Sequence, residues 1–438
     1  MKNAKIAPFY TFNTHLHLMV HALGSSLFLI YQASFRYYDN MRKHIIRIKI
    51  LLAIFSSMLL MASACKHSKD EPDPGPEPVP DTVERVTIVY AVNRSSLASD
   101  FAEDSAEMLR GLAKVDAETN RLLVYSTDNA ETASLSEAVN EDGVWKWNRI
   151  KEYKRTVTST DPARLREVLE YACSAYGDTQ RTLFFWGHGD SWVHHDSDHA
   201  TRSGEQQLPG EECYGFGGEY VSNGTDWMDI TDLAAAIPDD AFDVIWFDCC
   251  YMASAEVAYE LRDKARWLVA YPTEVWNSGL NYDDVIPLVM QKEPKLVEAA
   301  KSFFNFYDRG SEPVTVAVMD LSRMEELAAA VKSVMEAYPE PSSASRVSNY
   351  RRGYSSAGFY DLRQLMQTRC NGDTALMQGV SKALDNLIVY KAFSDIDFNS
   401  RRWIDPDLSC MSIHNFYDRQ TPSDEFYKTL DWYRRISE

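Results

Sequence analysis

The chain has 438 residues, of which 45% are hydrophobic and 25% charged, an ordinary globular composition with length for one large core or two smaller ones. The formal net charge is −19, and it is near −25 without the first 64 residues, which hold seven Lys or Arg and one acid. Such a negative surface repels phosphate backbones, so nucleic acid is not an expected partner.

Residues 41–64 have the organisation of a secretory signal peptide: a basic start, a short apolar stretch, then small residues. The end of this segment, "ASAC" at 62–65, resembles a bacterial lipobox, in which Cys65 is lipidated after cleavage. Residues 1–40 have no role in such a signal, and we expect them to be a mis-assigned upstream segment. The alternative is a membrane helix that is retained at the N-terminus.

Residues 65–82 carry five prolines in alternate positions, which predicts an extended tether. "KDE" at 69–71 resembles the acidic export signals that follow the lipidated cysteine in bacterial surface lipoproteins. We therefore expect an exported lipoprotein, held at the outer membrane or cell surface of a Gram-negative bacterium through lipidated Cys65.

Beyond the tether, short apolar strands alternate with helical patterns. The strands are predicted at 85–92, 121–127, 181–186, 243–247, 266–271 and 314–319. The helices are predicted near 100–110, 161–176, 230–236, 253–263, 294–306, 323–337 and 374–387. This alternation predicts an α/β fold, a mostly parallel sheet with helices on both faces, over residues 83–310. The pattern loosens over 311–438, where we expect a smaller C-terminal subdomain with one further strand in 408–416.

Two predicted strands end in reactive residues. The strand at 181–186 runs into "GHGDSW", with His188 between two glycines, and the strand at 243–247 runs into "DCCYM", with Cys249 and Cys250. Sites in such sheets form beyond the carboxyl ends of the strands. A histidine at one strand end can take the thiol proton of a cysteine at the next. The alternative without catalysis is that the cysteine is buried in the core and the histidine caps a helix.

Position favours Cys250 over Cys249 as the nucleophile. The helix predicted from Ala253 or Ser254 would present unpaired N–H groups that lower the pKa of a nearby thiol, and Cys250 is the closer of the two. Cys249 points another way and is expected to pack. The six cysteines after Cys65 have no regular spacing, so we do not expect a disulfide framework.

The two motifs, "LFFWGHGDSW" and "DVIWFDCCYMASAEVAYEL", resemble those of the clostripain family of cysteine peptidases, which have a caspase-like fold. The likeness extends to "TIVYAVNRSSLASDFAEDSAEM" (87–108), "TVAVMDLSRMEEL" (315–327) and "YDLRQL" (360–365). It implies that Cys250 attacks the scissile carbonyl of a polypeptide substrate and that His188 protonates the leaving amine. The amides of Gly189 and Cys250 would form the oxyanion hole.

The resemblance also implies cleavage after Arg or Lys. Asp248 would line the S1 pocket, which receives P1, the residue on the N-terminal side of the cleaved bond. Ser278 stands where the family often has a second acid, and Glu274 is the nearest replacement for that charge. We place Trp192, at the end of the histidine motif, among the expected substrate contacts.

Residues 193–226 form a polar, Gly-rich and His-rich stretch between the two motifs, and we expect a long functional loop. Many clostripain-like enzymes cleave themselves in this region after a basic residue. Arg202 is the only Arg or Lys between Arg181 and Arg262, so it is the predicted site of self-cleavage.

Two other functions remain open from the sequence. His188, His194, His195 and His199 with nearby aspartates suggest a metal hydrolase, but no HExxH-like spacing is present, so we expect no required cofactor and leave calcium binding open. The second alternative is a catalytically impaired surface lipoprotein that binds peptides or protein partners.

Overall fold

The computed structural model describes residues 83–194, 214–309, 312–351, 358–417 and 422–438. The predicted upstream segment, signal peptide, tether and Cys65 lie outside these residues, as do Arg202, His195 and His199. Within the described part of the chain, no helix is both long and apolar enough to cross a membrane.

Fourteen strands lie in the described residues: β1 (Arg85–Ala91), β2 (Asn120–Thr127), β3 (Thr132–Glu141), β4 (Val144–Lys154), β5 (Gln180–Trp186), β6 (His188–Asp190), β7 (Gly215–Val221), β8 (Gly224–Met228), β9 (Phe242–Asp248), β10 (Ala265–Ala270), β11 (Thr315–Asp320), β12 (Tyr360–Asp361), β13 (Ile388–Phe393) and β14 (Ser412–Ile413). Nine of them form one sheet in the order β13-β11-β10-β9-β5-β1-β2-β3-β4. The five central strands, from β10 to β2, are parallel, and antiparallel strands flank them on both sides.

The helices of the described residues are α1 (Ala98–Gly111), α2 (Pro162–Ala175), α3 (Ile230–Ala236), α4 (Ala255–Glu260), α5 (Tyr282–Val289), α6 (Leu296–Asp308), α7 (Met324–Ala337), α8 (Leu362–Arg369), α9 (Thr374–Leu387), α10 (Pro422–Tyr427) and α11 (Asp431–Ser437). Successive strand residues point to opposite faces of the sheet, which splits the core in two. One half packs the sheet against α1, α5 and α6. The other packs it against α2, α3, α4, α7, α8, α9 and α11. The predicted caspase-like sheet with helices on both faces is therefore confirmed.

The observed strands differ from the sequence prediction in several places. The hairpin β3–β4 extends one edge of the sheet, and β13 forms the other edge. The predicted loop at 193–226 is wrong for its second half, where β7 and β8 form a hairpin that pairs with β6. The strand expected in 408–416 is only the two-residue β14. The predicted boundary at residue 310 stays a prediction; β11 and β13, beyond it, belong to the central sheet.

Candidate active site

The pairing of β5 with β9 brings the two reactive strand ends together. These parallel neighbours pair Phe185 with Phe247 and Trp186 with Asp248. Gly187 continues the contact, because its N–H donates to the carbonyl of Asp248 at 3.4 Å. His188 and Cys250 each stand two residues after the paired Trp186 and Asp248. Both residues therefore leave adjacent strands at the carboxyl edge of the sheet.

The thiol of Cys250 is half-buried and contacts the loop after β10. The backbone N–H of Val275 donates to its Sγ at 3.2 Å, and Sγ also lies 3.8 Å from the Val275 carbonyl oxygen. An N–H group that points at sulfur stabilises the thiolate, which is the nucleophilic form.

Cys249 has a different environment. It is buried, and its Sγ donates to the carbonyl oxygen of Phe185 at 3.3 Å. Burial raises the pKa of this thiol well above its usual range, and the charge of Asp248 raises it further. A thiol that keeps its proton inside the core is a poor nucleophile, and the expectation that Cys249 packs is confirmed. None of the five described cysteines is in a disulfide.

His188 is the first residue of β6, two residues after the end of β5. Its Nε2 is 2.9 Å from the hydroxyl of Ser96, in the loop between β1 and α1. The ring of Trp227, on β8, lies 6.2 Å from the imidazole, centre to centre. Burial lowers the pKa of His188, so the neutral imidazole is favoured in the free protein. Sequence reasoning missed both Ser96 and Trp227, because neither stands in the two motifs.

Gly189 packs directly against the nucleophile's backbone. A Cβ at this position would lie 2.7 Å from the carbonyl oxygen of Cys250 and 2.9 Å from Cβ of Cys249. These distances leave no room for a side chain. The backbone after the histidine can therefore approach the backbone of the cysteine, as the predicted oxyanion hole requires.

The helix that follows Cys250 begins at the predicted position. Ser254 is the N-cap of α4, and its Oγ accepts from the N–H of Val257 at 3.1 Å. Tyr251 has φ +63°, so the chain turns between the cysteine and the helix. The predicted effect of the helix N-terminus on the Cys250 thiol stays a prediction. The N–H of Val275 is the donor that the structure places at the sulfur.

Asp248 is 5% exposed, on the α1, α5 and α6 side of the sheet. Its Oδ2 accepts from the hydroxyl of Tyr282 at 2.9 Å and from the N–H of Leu280 at 3.2 Å. Burial raises the pKa of its carboxyl group, against the lowering effect of these two donors. The two donors hold one oxygen in place.

A second carboxylate, which sequence reasoning missed, lies beside Asp248. Asp104, on α1, is 2% exposed, and its Oδ2 accepts from the indole Nε1 of Trp186 at 2.7 Å. Helical spacing alone did not reveal it, because an acid within "DFAEDSAEM" is most simply interpreted as a solvated one.

Two other predicted substrate contacts, Glu274 and Ser278, lie in the loop between β10 and α5. Glu274 accepts from the hydroxyl of Tyr251 at 3.0 Å, and the hydroxyl of Ser278 lies 3.1 Å from that of Tyr307. Trp192 is 2% exposed and packs in the core against His414 and Tyr427. Its ring belongs to the half of the core on the other face of the sheet from Asp248, which does not favour the expected substrate contact.

The described members of the histidine cluster, His188 and His194, have partners other than a shared metal site. Nδ1 of His194 lies 2.8 Å from a carboxylate oxygen of Asp229, and its ring stacks on Phe426. Asp190 pairs with Arg351 instead. Among the residues that the structure describes, no group of three His, Cys, Asp or Glu is arranged to hold a metal ion.

A half-buried thiol and an imidazole on neighbouring strand ends of a caspase-like sheet define a cysteine endopeptidase. The family profile described as the clostripain family, Peptidase_C11, matches residues 89–437. The chain therefore belongs to the clostripain family.

Solved structures show the same fold. The chain is similar to a secreted C11 cysteine protease from Bacteroides thetaiotaomicron, solved with an irreversible peptide inhibitor: identity is 24%, coverage is 81% of this chain and 99% of that one, and the TM-score is 0.68. It is also similar to an inactive zymogen C11 protease from Parabacteroides distasonis, at 22% identity over 82% and 100% of the two chains, with a TM-score of 0.68. No curated protein matches the chain.

Proposed function

We propose that this endopeptidase acts through a dyad of Cys250 and His188 and cleaves after Arg or Lys. The observation that carries the dyad is the pairing of β5 with β9, because His188 and Cys250 each stand two residues after the paired Trp186 and Asp248. The N–H of Val275 at the sulfur of Cys250 supports the same assignment.

In this mechanism His188 takes the thiol proton of Cys250, the thiolate attacks the scissile carbonyl carbon, and the carbonyl oxygen takes the negative charge. The amides of Gly189 and Cys250 hold that oxygen. His188 gives a proton to the leaving amine as the C–N bond breaks, and water then hydrolyses the thioester. The close approach of Gly189 to the backbone of Cys250 supports this role.

The preference for a basic P1 residue rests on Asp248. Its carboxyl group is buried two residues before the nucleophile, and no described Lys or Arg forms an ion pair with it. A buried carboxylate without a protein cation is suited to a cationic substrate side chain.

The test is hydrolysis of peptide fluorophores with Arg, Lys or a neutral residue at P1, by wild type, Cys250→Ala and Cys249→Ala. We expect Cys250→Ala to be inactive and Cys249→Ala to retain activity, since its thiol is a packing group. Equal loss in both variants, or inhibition by EDTA with resistance to thiol reagents, contradicts the proposal. The EDTA arm also tests the expectation that no metal, calcium included, is required.

Self-cleavage at Arg202 is a second part of the proposal. It is supported by the absence of any other Arg or Lys in the sequence between Arg181 and Arg262. Intact-mass spectrometry of wild type, Cys250→Ala and Arg202→Gln should find two fragments in wild type alone. An intact wild-type chain that hydrolyses substrate contradicts it.

Export and anchoring through Cys65 complete the proposal, supported by the order of residues in 41–65. Expression in a Gram-negative host with a radiolabelled fatty acid should label wild type and leave Cys65→Ser unlabelled. Equal labelling of both, or of neither, contradicts the anchor.

A further inference from the structure

We propose that Asp104 supplies a second carboxylate to the S1 pocket, beside Asp248, and that the two carboxyl groups hold one proton between them until a cationic P1 side chain displaces it. This inference rests on the proposed function, because it concerns how the same pocket recognises Arg or Lys. It makes Asp104 a specificity-determining residue supplied by α1, outside both sequence motifs.

The geometry depends on Gly279, in the loop between β10 and α5. A Cβ on this residue would lie 2.8 Å from Oδ2 of Asp248 and 3.1 Å from Oδ2 of Asp104. The two oxygens therefore lie within about 6 Å of each other, the range over which two carboxylates influence each other's ionisation. Gly279 has φ +54° and no side chain, so both acids can approach the loop from the sheet and from α1.

Both carboxyl groups accept hydrogen bonds from uncharged donors. Asp104 accepts from Trp186, and Asp248 accepts from Tyr282 and Leu280. Within the described residues, the ion pairs include none between a Lys or Arg and either acid. Two ionised carboxylates at 2% and 5% exposure, without a cation, would carry a large desolvation cost.

In the free protein this desolvation cost is lowered because one of the two carboxyl groups stays protonated. Burial raises the pKa of both carboxyl groups, and the charge of Asp248 raises that of Asp104 further. When an ammonium or guanidinium group enters, its charge favours the ionised form of both acids. The proton then leaves Asp104 for solvent. In the bound state, two ionised carboxylates surround one cationic P1 side chain.

The pairing of Asp104 with Asp248 also explains how the pocket has two acids although residue 278 is a serine. Ser278 stands where the family often carries a second acid, and its hydroxyl lies against Tyr307. Tyr307 in turn donates to the carbonyl oxygen of Gly279 at 2.6 Å. The loop therefore contributes backbone and hydroxyl groups at this place, and the second charge comes from Asp104. Glu274, by contrast, is bonded to Tyr251.

The kinetic test compares the purified wild-type protein with Asp104→Asn and with Glu103→Gln, an exposed acid beside it on α1. Substrates carry Arg, Lys or the neutral analogue citrulline at P1. We expect Asp104→Asn to raise KM for Arg and Lys peptides at least tenfold, with little change in kcat or for citrulline. Glu103→Gln should match wild type, and iodoacetamide should alkylate Cys250 at the same rate in all three.

The result that overturns the inference is an Asp104→Asn enzyme with unchanged KM for Arg, or one that loses kcat equally on all three substrates, as a purely structural role would cause. Failure of the proposed function has a different outcome, because wild type itself would then show no preference for Arg or Lys.

A second measurement does not depend on how well Asp104→Asn folds. Titration calorimetry of Cys250→Ala with an Arg peptide, in two buffers of different ionisation enthalpy at pH 7.5, counts the protons released on binding. We expect close to one proton for the Arg peptide and none for the citrulline peptide. Equal counts for the two peptides overturn the shared proton.

Discussion

The hydroxyl of Ser96 lies 2.9 Å from Nε2 of His188, so the loop after β1 touches the imidazole at the end of β5. When Nε2 carries the ring proton, its N–H donates a hydrogen bond to the hydroxyl oxygen of Ser96. Nδ1 then carries no proton and can act as a base. The contact makes Ser96 a positioning residue for His188, through the tautomer and the orientation of the ring.

We expect Ser96→Ala to lower kcat about three- to tenfold with little change in KM, because one net hydrogen bond contributes about 0.5–1.5 kcal/mol. Ser96 is exposed, so the melting temperature should stay the same. Ser96→Thr keeps the hydroxyl and should restore most of the activity. Steady-state kinetics of the three proteins check this, and equal kcat values for wild type and Ser96→Ala would contradict it.

Gly189→Ala should produce a folded but almost inactive enzyme. Its Cβ would lie 2.7 Å from the Cys250 carbonyl oxygen, so the backbone at the nucleophile must shift. A displacement of this kind typically costs two orders of magnitude in rate. Gly379→Ala, in α9 and with no atom within 4 Å of the added Cβ, is the matched control and should keep full activity. Circular dichroism and kcat for both variants provide the comparison; comparable activity in the two would refute the prediction.

Glu256 should make stability depend on pH. It is fully buried on α4, and its Oε1 accepts from the N–H of His414 and from the hydroxyl of Tyr427. Burial raises the pKa of its carboxyl group from 4.5 to about 6. A raised carboxyl pKa means that this contribution to stability is complete below pH 4.5 and is lost as pH rises through 6.

Glu256→Gln removes this titration. Relative to wild type, the variant should gain stability between pH 4.5 and pH 8 by about 2 kcal/mol, since one pKa unit corresponds to about 1.4 kcal/mol. Urea denaturation at the two pH values measures the difference. A variant whose stability follows that of wild type at both pH values would show that Glu256 does not ionise in this range.

The buried ion pair of Asp190 and Arg351 joins the histidine motif to the C-terminal part of the chain. The two side chains are 2.6 Å apart, at 0% and 11% exposure. Arg351→Met should lower the free energy of unfolding by about 3 kcal/mol, because it leaves a carboxylate buried without this cation. Arg434→Met, which breaks an exposed pair with Asp431, should cost less than about 0.5 kcal/mol. Chemical denaturation of both variants tests the ranking, and similar losses would contradict it.

The central strands could be predicted because each is a short apolar run that is buried on both faces, as in "TLFFW" and "DVIWF". The hairpin β3–β4 was missed because it is an edge, where β4 carries charged residues on its exposed positions. Strands β7 and β8 were missed because "GFGGEYVSNG" has the composition of a loop. Pairing of β7 with β6 stabilises this segment as a hairpin, and such pairing cannot be predicted from the local sequence.

For the site, the motifs predicted that His188 and Cys250 follow neighbouring strands, as the pairing of β5 with β9 confirms, and that Cys249 is the cysteine that packs in the core. They could not reveal Val275, which acts through its backbone N–H, a group common to every residue except proline. They also could not reveal Asp104, since its proximity to Asp248 depends on how α1 packs on the sheet. Trp192 was misjudged because its place in the motif says nothing about the face of the sheet it occupies.

The pairings of β5 with β9 and of β6 with β7 join parts of the chain that lie before and after Arg202. None of the residues in these two pairings lies between 195 and 213, so a cut at Arg202 would leave both pairings in place. The severed polypeptide should persist as one particle in native buffer, with His188 on one fragment and Cys250 on the other. We expect the strand pairings alone, without an unbroken chain between them, to hold His188 and Cys250 at the same edge of the sheet.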